Sequence, residues 1–339
     1  MVIATFTSGE YTQIGVKFEY SKSFQTIESK ILFQDPDKFV GRFQSILHTL
    51  FGIKILDKNC SLIFVISGII NQEKKEIIQS DALNEISFSK YYDGFSFVKA
   101  FGAMVSEKNI FLLNDSDCIA LSHVFDANVP KSFPALSLYI GEKVGASLIK
   151  ENGILNYNHV FGPIKYLGNK RANYLLGDRG IDNILINKGF DIGHEYTINL
   201  AEVLKDILIL IKDDGYSIEM VFIHSTKSEY ILQEELKNKF PQIDLHMTDG
   251  NSREKYLPLE GALNYVENMK QKKTIANFVS LNASAAPAIP FVGKLFRPQK
   301  IDYYDTIKKQ VTTIKGFNNL VSHWRKTKPI SLGNSYYIF

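Results

Sequence analysis

Apolar and polar positions follow two rhythms along this chain. Residues 12–21 and 23–33 alternate or run apolar and are rich in β-formers, which predicts strands. Residues 35–52 change period. Asp35 precedes Pro36, and Phe39, Phe43, Ile46, Leu47 and Leu50 fall on one face, which predicts a capped helix. "SLIFVISGII" (61–70) predicts a buried strand broken at Ser67-Gly68, and the polar turn after it leads to a short strand return. Residues 87–102 read as loop and then helix. "NIFLLNDSD" (109–117) reads as another buried strand.

The second half restarts in the same manner. Residues 135–156 predict two strands around Gly141 and Gly145, closed by a turn at Asn152-Gly153. Over 199–214, Leu200, Val203, Leu204, Ile207, Leu208 and Ile211 share one helical face. A short buried strand (219–225), a helix (228–239) and a last body helix (257–270) follow. After 275 the character changes. Residues 280–300 carry small side chains and prolines, as in a linker or a pinned extended segment. Residues 303–324 can form a helix, and the end, "SLGNSYYIF", is too aromatic for a solvated tail.

Composition changes this picture in one respect. With 339 residues, 45% hydrophobic and 22% charged, the chain has room for two ordinary globular domains. Net charge is only +3, but it is unevenly spread. Residues 271–339 hold 11 Lys and Arg against Asp302 and Asp305, a net of +9; residues 1–270 hold 28 basic against 34 acidic residues, a net of −6. Such a tail either folds back on its own body or meets an anionic partner. Cys60 and Cys118 are too few for a disulfide framework and lack metal-ligand spacing, which points to a reducing, cytoplasmic setting. The start has no basic n-region and no long apolar core, so no secretory signal is expected, and runs such as 207–211 are too short to span a bilayer.

The candidate chemistry sits where Ile110–Leu113 meets Asn114-Asp115-Ser116-Asp117. Asn, Asp and Ser at a helix start cap its free N–H groups. A carboxylate at the carboxyl end of a strand is also where α/β proteins hold ligands. Both readings stand on these residues. His48, His123, His159, His194 and His246 show no ligand spacing, and the tyrosines of "KYYDGF" and "DYYD" either stack on sugar rings or pack at edges.

The succession "FVISGIINQEKKEIIQSDAL", "IFLLNDSDCIALSH" and "LSLYIGEKVGASLIKENGIL" resembles the ROK family of bacterial sugar kinases and sugar-responsive repressors, over roughly residues 1–270. The resemblance implies an α/β fold of the actin-like, hexokinase-like ATPase type (a ribonuclease H-like repeat), with two lobes and a cleft between them. The lobes would be 1–125 and 126–275, and 276–339 would form a basic, aromatic extension docked on the body. It also implies that Asp115 descends from the general base that takes the sugar hydroxyl's proton. Asn114, Ser67, Gly68 and Asp81 would then face the sugar.

Other positions depart from the family pattern. The first phosphate loop, Asp-x-Gly-Gly-Thr in the family, is "FTSGE" (6–10) here; Phe6 and Glu10 replace the Asp and Thr, and only Gly9 survives, beside Ser8, in a degenerate loop. The second is "GEKVGAS" (141–147), which keeps Gly141 and Gly145, has Glu142 for Thr, and offers Lys143 as a point charge. The adenosine-side Gly-Gly becomes "HST" (224–226), with His224 read as a packing or capping residue. The sugar-binding Glu and His become Pro163 and Tyr166 in "GPIKY", and no cysteine-histidine zinc cluster follows.

Two functions are therefore weighed. One is a pseudokinase that has lost or nearly lost phosphoryl transfer and serves as a carbohydrate-binding or scaffolding protein. It would need no cofactor and no zinc. The other is a divergent ATP-dependent hexose kinase that uses Asp115 as base, with ATP and Mg²⁺, and Lys143 or Asp117 in new roles. A homodimer and a sugar-like ligand are expected, and DNA is not: the chain opens on its first strand rather than on a helix-turn-helix, and the tail's basic residues are scattered.

Overall fold

In a computed structural model of the chain, the described residues are 1–19, 21–87, 91–125, 132–141, 143–151, 153–156, 165–166, 170–188, 191–250, 253–271 and 280–281. They divide into two compact units, 1–125 with 255–271, and 132–254 with 280–281.

The first unit opens with an antiparallel meander of β1 (Val2–Ser8), β2 (Tyr11–Lys17) and β3 (Lys22–Glu28). The run 23–33 is only partly strand, because Ser29–Phe33 forms the short helix α1. Ser29, Leu32 and Phe33 are buried while Ile31 is exposed, a helical period too brief to stand out from a strand in sequence. The helix expected over 35–52 is a 3-10 turn, Pro36–Lys38, running into α2 (Phe39–Phe51). The Asp35 side chain caps the 3-10 turn, accepting from the Asp37 N–H at 3.0 Å; α2 starts at Lys38 without a side-chain cap, and Gly52 ends it at φ 70°. β4 (Ser61–Ile66) pairs parallel with β1 and is buried throughout, which explains its unbroken apolar run. The hairpin β5 (Ile69–Asn71) and β6 (Glu76–Gln79) leads through α3 (Asp81–Ile86) and α4 (Phe97–Phe101) to β7 (Ile110–Asn114), parallel to β4. α5 (Asp115–Phe125) starts without a linker. An aromatic cluster of Phe39, Phe43, Phe64, Tyr92, Phe97 and Phe101 fills the core on one face of this sheet, with Phe64 and Phe97 stacked at 4.2 Å.

The second unit repeats the plan. β8 (Ala135–Ile140), β9 (Val144–Lys150) and β10 (Gly153–Asn156) form the meander, one strand more than the sequence predicts over 135–156. β11 (Lys165–Tyr166) and β12 (Lys170–Arg171) pair with each other, and α6 (Ala172–Leu176) and α7 (Asp178–Lys188) precede the long α8 (Ile192–Asp213). β13 (Met220–Ser225) is parallel to β8. The expected helix 228–239 is a 3-10 turn at Ser228–Tyr230 followed by α9 (Gln233–Lys239), and β14 (Asp244–Asp249) is parallel to β13. Leu200, Val203, Leu204, Ile207 and Ile211 of α8 pack on Leu136, Leu138, Val221 and Ile223, as their spacing predicts.

α10 (Leu257–Gln271) corrects the expected boundary of the second lobe. It packs on α5, β1 and β2 of the first unit, and Lys17 of β2 pairs with its Glu267. β15 (Ser280–Leu281) then pairs parallel with β10, so the proline-rich stretch begins as pinned, extended chain; the rest of the extension lies outside the described residues. The sheets run β3-β2-β1-β4-β7 and β10-β9-β8-β13-β14, with β15 outside β10. Three antiparallel strands followed by two parallel ones beyond the first, used twice, is the ribonuclease H-like repeat of actin-like ATPases.

Candidate functional site

The parallel register sets the site of the first unit. Thr7 pairs with Ile66, and Ile66 with Asn114. The carboxyl ends of β1, β4 and β7 therefore lie side by side, about 4.8 Å apart. Three connections leave this edge: the β1–β2 turn with Gly9, the Ser67-Gly68 turn into β5, and Asn114-Asp115 into α5. Ser8 ends β1 and Asp81 opens α3, both as backbone positions. Such an edge is where open α/β sheets hold ligands.

At Asn114-Asp115 the capping and carboxylate readings fall on adjacent residues. Asn114 Nδ2 donates to the Gly68 carbonyl at 3.0 Å, and its Oδ1 accepts from the Ser116 N–H at 3.2 Å and the Ser116 hydroxyl at 2.9 Å. Asn114 thus does the capping and ties β7 to the neighbouring turn. Asp115 follows as the first helical residue, 7% exposed, with the Ser116 N–H 2.9 Å from its Oδ1. Asp117 is fully buried. Burial, then the Asp117 and Asp115 carboxylates, push the Cys118 thiol well up, so it stays protonated.

The turns beside this corner are tightly built. Gly68 has φ 149°, and a Cβ there would stand 2.4 Å from the Gln79 carbonyl oxygen. Gly9 has φ 55°. Its neighbour Glu10 is exposed, and the Glu10 carbonyl accepts from the Ser29 N–H at 2.7 Å. Below this turn, buried hydroxyls of Thr7, Thr12 and Ser29 form a row with spacings of 3.2 and 2.9 Å. Phe6 is buried within β1.

Gly141, Lys143 and Gly145 belong to the second unit. Gly141 donates its N–H to the Lys143 carbonyl at 3.1 Å, and Val144 N–H donates to Asn173 Oδ1 at 2.8 Å, which anchors the turn. Gly145 lies within β9 opposite Tyr139 rather than in a loop. A Cβ at 141 would stand 2.4 Å from the Tyr139 hydroxyl, so the Tyr139 ring would have to shift to admit one. His224 is a packing residue. It stacks on Tyr139 at 5.9 Å and shares a 2.8 Å hydrogen bond between Nδ1 and Thr248 Oγ1. Burial pushes its pKa down to about 4, with Asp249 opposing. Glu142 and 162–164 lie outside the described residues, and Lys165–Tyr166 form β11.

Sequence reasoning missed Ser80, Asn84 and Asp93. Ser80 is the N-cap of α3, a role its place before Asp81-Ala82-Leu83 could have signalled. Nothing in the spacing of Asn84 and Asp93 announces their 2.8 Å hydrogen bond.

Fold and edge together define an actin-like α/β protein with a carboxylate at the carboxyl end of its first sheet. Solved structures share this fold. A ROK family protein from Streptococcus pneumoniae, in complex with sucrose, is similar at TM-score 0.56 and 16% identity, covering 80% of this chain and 99% of its own. A polyphosphate/ATP-glucomannokinase from an Arthrobacter strain gives 0.55 at 12% identity, covering 80% and 98%. A ROK family glucokinase from Streptomyces griseus, with glucose and AMPPNP, gives 0.53 at 9% identity, covering 78% and 98%. The sequence matches no protein-family model and no curated protein. No helix among the described residues is long and apolar enough to cross a membrane.

Proposed function

We propose that the protein is a carbohydrate-binding relative of the ROK sugar kinases in which phosphoryl transfer is reduced or lost, and that it works by binding or scaffolding. One observation carries the reading: the Asn114–Gly68 hydrogen bond holds the Asn114-Asp115 corner at the carboxyl edge, on the same edge as the β1–β2 turn with Gly9, which we read as a phosphate turn without its metal-side carboxylate. A carboxylate held there accepts hydrogen bonds from sugar hydroxyls. Phosphate finds less: Phe6 offers no ligand, and Glu10 sets a like charge on the turn. Phosphoryl transfer depends on positioned electrostatic partners, so losing several together removes orders of magnitude in rate. A homodimer in a cytoplasmic setting, without DNA, completes the proposal.

The burial of Asp115 at a helix start favours a second reading, a divergent hexose kinase. Asp115 would take the proton of the attacking hydroxyl while ATP and Mg²⁺ supply the phosphoryl group. Calorimetry with a hexose panel and with ATP·Mg²⁺, joined to an assay for ADP, separates the two. Hexose binding with ATP weaker than about 1 mM and no ADP supports the first. Micromolar ATP and hexose-dependent ADP support the second. A chain that binds no hexose refutes both.

A further inference from the structure

The polar groups around Asn114 continue beyond the corner. Ser80 is fully buried at the start of α3, where its Oγ accepts from the Leu83 N–H at 3.3 Å. The same hydroxyl donates to the Ser67 carbonyl at 2.8 Å. The next carbonyl, of Gly68, is the one that accepts from Asn114. Ser80 is itself held. Its N–H donates to Asp93 Oδ1 at 3.3 Å; that oxygen also accepts from Asn84 Nδ2 at 2.8 Å, and Asn84 Oδ1 accepts from the Tyr92 N–H at 2.8 Å. The turn has no slack, because a Cβ on Gly68 would be 3.1 Å from Ser80 Cα.

We propose that Ser80 is a positioning residue for the Asn114-Asp115 corner. Through one peptide, Ser67-Gly68, its hydroxyl fastens the start of α3 and the β5–β6 hairpin to the first turn of α5. Hairpin and carboxylate then form one rigid body. A ligand that touches both is measured between fixed points, so Ser80 governs which sugar epimers fit. This last clause rests on the sugar-binding reading; the mechanical link does not.

A cap-only role predicts something different, and glycine tells the two apart. Glycine caps a helix nearly as well as serine but has no hydroxyl to give Ser67, whereas threonine keeps both functions. Amide hydrogen exchange on the full chain is the test. Ser80→Gly should speed exchange at Ser116 about tenfold, the net worth of one hydrogen bond, while Ser80→Thr restores the wild-type rate. Asp93→Ala, at an exposed position, should give a smaller change in the same direction and serves if Ser80→Gly does not fold. Unchanged exchange at Ser116 in Ser80→Gly and Asp93→Ala, or equally fast exchange in Ser80→Thr, overturns the proposal. Calorimetry with glucose, mannose and galactose adds the second arm. The ratio of their dissociation constants should narrow in Ser80→Gly, and a preserved ratio overturns the specificity role. If the wild-type chain binds none of the three, the sugar reading falls and exchange alone decides the link.

Discussion

Gly261 of α10 lies directly on the Cys118 carbonyl of α5. A Cβ at 261 would stand 2.0 Å from that oxygen and 2.8 Å from the Ser122 nitrogen. Both obstacles are backbone, so no rotamer change can make room, and Cys118 is only three residues beyond Asp115. Gly261→Ala must therefore push the helices apart and should cost about 1–3 kcal/mol. Gly41→Ala is the control. Nothing lies within 4 Å of a Cβ there, in the body of α2, and the change should stabilise by roughly 0.5–1 kcal/mol. Urea unfolding reads both. A neutral Gly261→Ala would show that the contact relaxes freely.

Acid should weaken the fold through His224. The unfolded imidazole titrates at 6.5 and the folded one at about 4, so between those values the unfolded chain binds the extra proton. Stability from keeping this ring neutral is complete above 6.5 and is lost as pH falls toward 4, by on the order of 3 kcal/mol. His224→Gln should flatten that part of the urea-midpoint profile. Profiles of equal slope between pH 7 and 4.5 would assign the loss to other groups.

Glu10 tests the proposed phosphate role of the β1–β2 turn. It is exposed, so Glu10→Thr leaves the core untouched. Removing a like charge about 4 Å from phosphate in water is worth about 1 kcal/mol, a roughly fivefold gain in ATP·Mg²⁺ affinity by calorimetry. No gain would mean that nucleotide does not approach this turn.

The extension after β15 is expected to dock on the body. Trp324, Tyr336, Tyr337, Ile338 and Phe339 are large apolar groups, each worth about 1.5–3 kcal/mol when buried, against about 1 kcal/mol or less for a surface charge pair. Deleting 303–339 should lower the melting temperature or cause aggregation, and docking should survive high salt. A truncated protein of equal stability, with a tail readily cut by protease in the full chain, would make it an exposed arm instead.

Long or strongly patterned elements were legible in the sequence: α2 from Asp35-Pro36 and its apolar face, α8 from its six-residue stripe, β4 and β7 from unbroken apolar runs. Short elements were not. Five residues of α1 and the two-residue β15 lack the length for a period to appear, and β14, "DLHMTD", owes its strand to pairing with β13 rather than to its own pattern. At the site, Asp115 was visible because it interrupts an apolar run. Ser80, Asn84 and Asp93 were not, because their hydrogen bonds join residues brought close by the return of the chain at Gly94-Phe95 onto Ile77 of β6.

The return of α10 to the first unit has a consequence for biosynthesis. The strands of the first sheet are all made by Asn114, yet the helix that covers Cys118 and Ser122 of α5 emerges roughly 130 residues after α5 ends. At ribosomal rates of about 5–20 residues per second that is on the order of ten seconds. During that interval the main strands of the second sheet, complete by Asp249, can pair and close while the earlier one waits with an apolar helix face open to water. The first sheet thus waits for its covering helix until the main strands of the second are made, and the nascent protein should lean on chaperones over that window.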